Sequence, residues 1–340
     1  RFRRLFSTQS FVRGDSPVEK YPVPPGFRDL STLHKVIGSV LHAEPFDAPS
    51  ETFKLTEEQL AQYEEHGYLA GIPVLSDEEC DKLLEDVNLL ITEKHPGLGL
   101  MHEFHLNQTG DESNILMHCL GHWRISIGFH DLVYHPAITV PTQQIFSRHM
   151  QQELVGPGSG EPKEAVGVRF WHDQLFCKPA RYGGPVAWHQ DYSYWTRTKQ
   201  MNHMTVHVAL DTQTIDNGTL HFVPGSHRWN RNGKPLPITS ENFDDMDSIQ
   251  SVLNPEEAAQ WNPQPALLKR GHASFHHPLL VHGSFPNRTD QPRRAAVVNY
   301  CADGTWSDCN ESLLLGVPPL KKYEQLAGQF FPLVLPGQVR

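Results

Sequence analysis

Ala187-Trp188-His189-Gln190-Asp191-Tyr192 and His277-Pro278-Leu279-Leu280-Val281-His282-Gly283-Ser284 are the two stretches on which the reading of this chain turns. Both lie in a half of the sequence that alternates like strands. Residues two apart on a strand point to one face, so His189 and Asp191 reach a common point from one strand edge. His282 must come from a second strand far along the chain. Antiparallel strands distant in sequence are readily neighbours, so the long spacer is no obstacle.

Two imidazoles and one carboxylate on one side of a metal ion leave its other side open. That is the arrangement of non-haem iron(II) oxygenases. The short motif alone is weak. With 21 His and 39 acidic residues in 340, His-x-Asp or His-x-Glu arises about twice by chance. It occurs twice, at His189/Asp191 and at His42/Glu44. The segment around His42 shows no strand alternation, so that pair is read as the accident.

Working outward, residues 165–178, 203–210, 219–223, 266–277 and 294–301 alternate or run apolar as strands do. Turn signals separate them: Gly183-Gly184-Pro185, Asp216-Asn217-Gly218, Pro224-Gly225-Ser226 and Pro286-Asn287. Many short strands punctuated this way predict a mainly β sandwich, barrel or jelly roll. Two helices precede it. Thr56 with Gln59 and Ser76 with Glu79 form capping boxes. They open helices predicted to run to about His66, before Gly67, and to about Lys94; 68–75 between them reads as a strand. The second carries Cys80, Leu83, Leu84, Val87 and Leu90 on one stripe. Residues 225–265 form a polar, acidic insert, read as a solvated face or a lid.

The bulk composition excludes several classes. A net charge of −10 argues against a nucleic-acid partner, which calls for a basic face. No apolar run approaches the length of a membrane span. Five cysteines without a C-x-x-C pair argue against a disulfide framework or structural zinc. The first thirteen residues hold Arg1, Arg3, Arg4 and Arg13 and no acid. That bias predicts an organelle transit segment and a mitochondrial location, with a basic tail on a cytoplasmic protein as the alternative. The division expected is 1–50 as a basic N-terminus and loosely packed lead-in, then 51–340 as one domain with its β core at about 165–305.

Arg293 opens the strand after the second motif, and a guanidinium grips a carboxylate bidentately. At this point the segments W-H-Q-D-Y, N-G-x-L-x-x-x-P-G-S-H (Asn217 to His227), H-P-L-L-V-H-G-S and R-R-A (Arg293 to Ala295) together resemble the phytanoyl-CoA dioxygenase family. The resemblance covers roughly residues 55–335. It implies a double-stranded β-helix, or jelly roll, with the N-terminal helices packed outside. It also implies iron(II) held by His189, Asp191 and His282, with 2-oxoglutarate and O₂ as co-substrates and ascorbate as a helper. Arg293 would hold the distal carboxylate of 2-oxoglutarate, with Ser284 assisting and Arg294 as a substitute one register step away. The reaction implied is hydroxylation of a C–H bond in a small organic substrate, an acyl-CoA among the candidates, with release of succinate and CO₂. Related halogenases lack the metal carboxylate, so Asp191 favours hydroxylation. Gly271-His272 stands where the family often has Gly-Asp.

Several residues carry two readings. Gln174 either touches 2-oxoglutarate or substrate or fills the barrel. Lys178 reads as an ordinary strand-end charge rather than a pocket cation. Tyr192, Tyr194 and Trp195 either wall a pocket or pack the core. His276 and His277 read as structural. The rival functions are a cupin-like metal barrel without redox chemistry and a catalytically silent interaction module. Neither of these requires a carboxylate clamp at Arg293.

Overall fold

The structure, a computed structural model, describes residues 21–155, 164–229, 231, 234–239 and 245–339. The transit-like stretch 1–13 lies outside the described residues, as does part of the insert. Among the described residues no helix is long and apolar enough to cross a membrane.

Residues 21–54 contain α1 (Ala43–Asp47) and are mostly exposed, held to the rest of the chain at a few points by carboxylates. The backbone N–H groups of Ile37 and Gly38 donate to Asp131, each at 2.7 Å, and that of His42 donates to Glu79 at 2.7 Å. Arg124 pairs with Asp29. Each bond satisfies a buried acid that otherwise carries a desolvation penalty.

α2 (Glu57–His66) and α3 (Asp77–Ile91) both start on complete capping boxes. α2 ends at Gly67, which is left-handed at φ +79°. A Cβ there would also lie 2.3 Å from the His227 ring, so the position excludes side chains twice over. α3 stops three residues short of the predicted end. Thr92 Oγ1 donates to the Asn88 carbonyl at 2.7 Å, and Glu93 turns left-handed. β1 (Tyr68–Pro73) lies between the two helices. Next come β2 (Glu103–His105), β3 (Met117–Leu120), α4 (Ile127–Val133) and α5 (Pro136–Val155), none of them foreseen.

The core strands follow: β4 (Glu164–Ala165), β5 (Val168–Lys178), β6 (Val186–His189), β7 (Thr198–Lys199), β8 (His203–Ala209) and β9 (Leu220–Phe222). The insert holds α6 (Pro255–Ala259) and leads to β10 (Gln264–Pro265). β11 (His272–His276), β12 (His282–Ser284), β13 (Arg293–Ala302), β14 (Trp306–Ser307), β15 (Leu333–Leu335) and β16 (Gln338–Val339) complete the chain.

Two antiparallel sheets face each other. The large one runs β1-β11-β8-β13-β5-β3-β2, with β15 also on β5; the small one runs β10-β9-β12-β6. This is the jelly roll that was expected. The alternation along the central strands has an unexpected sense. Met204, Val206, Val208, Leu175, Cys177, Ala296 and Val298 pack outward, sharing one core with Leu60, Leu83, Val87, Phe129 and Ile138 of the helices. The polar set of the same strands therefore points inward between the sheets, where Gln174, Lys178, Thr205, His207 and Arg293 line a cavity. The insert covers the outer face of the small sheet. Leu236 and Ile249 bury against Trp188, Val223 and Val281. The described part of the insert is thus packed against the sheet rather than a bare solvated face.

A candidate metal centre between the sheets

Residue register builds the site. His189 closes β6 and His282 opens β12, and the two are direct cross-strand partners. Their rings lie 4.3 Å apart between centroids. His189 Nδ1 donates to the Ala187 carbonyl at 2.8 Å, and His282 Nδ1 donates to the Leu280 carbonyl at 2.9 Å. A carbonyl only accepts, so each Nδ1 carries the proton and each Nε2 presents a bare lone pair. Burial, with His189 alongside, lowers the His282 imidazole to about 3. It is therefore neutral, the form that binds metal.

Asp191 departs from the expectation of a shared strand edge. β6 ends at His189, and Asp191 begins a short 3-10 turn. The turn brings the carboxylate round so that Oδ1 lies 3.4 Å from His189 Nε2 and 3.6 Å from His282 Nε2. One ligand atom from each of the three residues falls within 4.8 Å of the others. Atoms bound at about 2.0–2.2 Å to one divalent first-row ion lie roughly 3 Å apart, so this donor set fits such an ion. Burial opposes the charge on Asp191. Even so, His282, His189 and His276 around it hold the carboxyl well below the usual range.

A second pole faces this triad across a cavity of about 520 Å³, counting its open mouth. Arg293 is 2% exposed there. Its Nη2 donates to the Gly218 carbonyl at 2.5 Å, while its Nε–H is buried without a partner among the described residues. An orphaned guanidinium N–H facing a cavity marks an unmet acceptor, and a carboxylate supplies one. Burial brings Arg293 down to about 10, so it stays charged. Arg294 does not substitute for it: Nε and Nη2 both donate to the Asp211 carboxylate at 2.7 Å on the other side of the sheet.

Lys178 corrects the strand-end reading. It is fully buried in the same cavity, where Nζ donates to Ser284 Oγ at 2.7 Å and to the Phe285 carbonyl at 2.6 Å. Because Nζ occupies a lone pair of Ser284, the hydroxyl proton of Ser284 is free to point into the cavity. Gln174 also lines it. Tyr192 and Trp195 pack into the core beside Trp171 and Phe331, and Tyr194 rests 5.8 Å from the His189 ring. His42 pairs with Glu79, remote from the triad.

Thr205 and His207 line the cavity as well and were not singled out from the sequence; His276, read there as structural, also lines it. His276 is not merely structural, because Nε2 lies 3.1 Å from Asp191 Oδ2. The signal was present for two of them: His203, Thr205 and His207 are the polar phase of a period-two strand. Asp173 accepts backbone N–H bonds from Gly121 at 2.6 Å and Trp123 at 2.7 Å, so it anchors the β3–α4 connection.

Two facing sheets with two imidazoles and a carboxylate on one wall define a jelly-roll protein with a donor set that could hold one metal ion. The chain belongs to the phytanoyl-CoA dioxygenase (PhyH) family, whose model matches residues 63–295. Over 257 residues it is 27% identical to a methylphosphonate hydroxylase of Gimesia maris, covering 73% of this chain and 81% of that protein. Over 173 residues it is 28% identical to a probable alpha-ketoglutarate-dependent hypophosphite dioxygenase of Stutzerimonas stutzeri, covering 51% of this chain but only 56% of that one. The epimerase SnoN, solved with Fe3+, alpha-ketoglutarate and nogalamycin RO, superposes with a TM-score of 0.62 at 21% identity. That match spans 82% of this chain and 98% of SnoN, and at this identity it is a likeness of fold.

Proposed function

We propose that this protein is an iron(II)- and 2-oxoglutarate-dependent oxygenase that hydroxylates a C–H bond of a small organic substrate. The observation that carries this is the pairing, in one cavity, of a His189–Asp191–His282 triad with the unsatisfied N–H of Arg293. A non-redox metal barrel has no use for a buried guanidinium aimed at an acceptor it lacks. Family membership and the names of the relatives support the same reading.

His189 and His282 would offer their Nε2 lone pairs and Asp191 its Oδ1 to the ion. Bound there, ferrous iron supplies the O₂-dependent oxidation that converts 2-oxoglutarate to succinate and CO₂ and hydroxylates the substrate. Arg293 would hold the distal carboxylate of the co-substrate, with the Ser284 hydroxyl, oriented by Lys178, donating a further bond. Phe176, Val186, Leu220 and Val297 supply the apolar walls that exclude water.

An acyl-CoA and a small phosphonate are both candidate substrates, the first from the family's name and the second from a relative's. Adding each to the purified protein and measuring stimulated succinate release separates them. The basic N-terminal stretch supports a mitochondrial destination, tested by fusing it to a fluorescent reporter.

The class itself is tested without any substrate. Protein supplied with iron(II), ascorbate and 2-oxoglutarate should release succinate slowly. His189→Ala and Asp191→Ala should abolish that release. Full turnover in either variant would falsify the assignment.

A further inference from the structure

Asp191 has two oxygens, and their surroundings differ. Oδ1 lies 3.4 Å from His189 Nε2 and 3.6 Å from His282 Nε2. Oδ2 accepts from Thr205 Oγ1 at 2.6 Å and lies 3.1 Å from His276 Nε2. Oδ2 is placed as a shared acceptor between the two side chains, so the His276 contact fixes the imidazole proton on Nε2. The other nitrogen agrees. His276 Nδ1 is buried without a partner among the described residues, and a bare lone pair is easier to leave unpaired there than an N–H. The Thr205 hydroxyl likewise points its proton at Asp191.

The two donors are placed by strand register. His276 on β11 and Thr205 on β8 are direct cross-strand partners. Both side chains therefore rise side by side from the inner face of the large sheet, opposite the turn that carries Asp191. The His276 ring is 1% exposed and wedged between Phe222, 5.2 Å away, and His282, 4.6 Å away. It cannot swing off without opening the sheet contact.

From this geometry we infer that Thr205 and His276 are positioning residues that occupy Oδ2 and restrict Asp191 to binding the metal through Oδ1 alone. This inference rests on the oxygenase reading and deepens it. An octahedral ion held by three protein atoms keeps three positions. A chelating 2-oxoglutarate fills two of them, and one is left for O₂. A carboxylate bound through both oxygens would occupy one of those positions and compete with the co-substrate. The donor pair thus protects the open face of the metal rather than simply tightening its grip.

The test uses Co(II), which reports its coordination by visible absorption, and reads binding rather than turnover. Thr205→Val keeps the shape of the side chain and removes the donor; His276→Phe keeps a ring and removes the donor; His276→Gln restores an N–H. In the Thr205→Val/His276→Phe protein saturated with Co(II), 2-oxoglutarate should bind about 10- to 100-fold more weakly than in wild type. The Co(II) spectrum should shift, while Co(II) affinity itself changes far less than 2-oxoglutarate affinity, since a second oxygen replaces what is lost. His276→Gln should return both readings towards wild type. If the double variant melts, Thr205→Val alone carries the test, with about a tenfold loss of 2-oxoglutarate affinity. Unchanged 2-oxoglutarate affinity and spectrum would overturn the inference. So would a fall in Co(II) affinity with 2-oxoglutarate binding at saturating metal intact, because the donors would then serve metal retention. Wild-type protein that takes up neither Co(II) nor 2-oxoglutarate would overturn the oxygenase reading as well.

Discussion

Replacing Arg293 with Met probes the co-substrate pole most sharply. The guanidinium has five N–H donors and uses one on the Gly218 carbonyl, leaving enough for a bidentate grip on a carboxylate. A hydrogen bond to a charged group contributes about 1.5–3 kcal/mol, so losing two removes about 3–6 kcal/mol of 2-oxoglutarate binding. At about 1.4 kcal/mol per factor of ten, that is at least a hundredfold in affinity. Water entering the vacated space returns part of it, so the lower end is expected. The assay is succinate release across a 2-oxoglutarate series. KM should rise about a hundredfold, with kcat at saturation falling far less, if Arg293 grips the end of the co-substrate that does not react. A KM within threefold of wild type would refute the clamp. A second reading comes from melting curves. Excess 2-oxoglutarate should stabilise metal-loaded wild type by about 2.7 kcal/mol at a hundred times Kd and Arg293→Met by only about 0.4 kcal/mol at the same concentration.

Arg294→Ala is the matched control: it breaks the Asp211 pair, so it should lower thermal stability while leaving the 2-oxoglutarate KM unchanged. Gly271→Ala should destabilise by about 2–3 kcal/mol in urea unfolding, because φ is +77° and the new Cβ would meet the Leu75 carbonyl oxygen at 2.0 Å; a loss below about 1 kcal/mol would contradict the geometry. Acid should unfold the protein early. Burial holds His118 at about 3, His172 at about 4 and His203 at about 3, against about 6.5 when unfolded. The unfolded chain then binds more protons, so stability is complete above pH 6.5 and drains away as pH falls towards 4. A melting temperature that stays flat from pH 7 to pH 5 would show that these imidazoles are not buried neutral.

The residues of the candidate site could be picked out of the sequence because each sits in a patterned context. His189 closes one strand with Asp191 just beyond it, His282 opens a second, and Arg293 opens a third. The capping boxes at Thr56 and Ser76 gave two helices almost to the residue. What stayed hidden has physical causes. α4 is buried on every side, from Gly128 to Val133, so it shows no amphipathic stripe. α5 carries Pro141 in its interior, which reads as a breaker. β2 and β3 are three and four residues long, too short for a period to register. The deeper miss concerns direction. A strand with one apolar face is normally read with that face towards the space between the sheets. Here Val206 and Val208 face the helices, and the polar phase of β8 faces inward. Lys178 and His276 follow from that inversion: on other folds a strand-end lysine is a surface charge, and here it is the buried partner of Ser284.

Anomalous diffraction from crystals grown without oxygen, with iron(II) and 2-oxoglutarate, tests the central claim directly. The expected result is a single iron peak about 2.0–2.2 Å from His189 Nε2, His282 Nε2 and Asp191 Oδ1, with the distal carboxylate of 2-oxoglutarate against Arg293. Iron bound elsewhere, or a co-substrate turned away from Arg293, would contradict it.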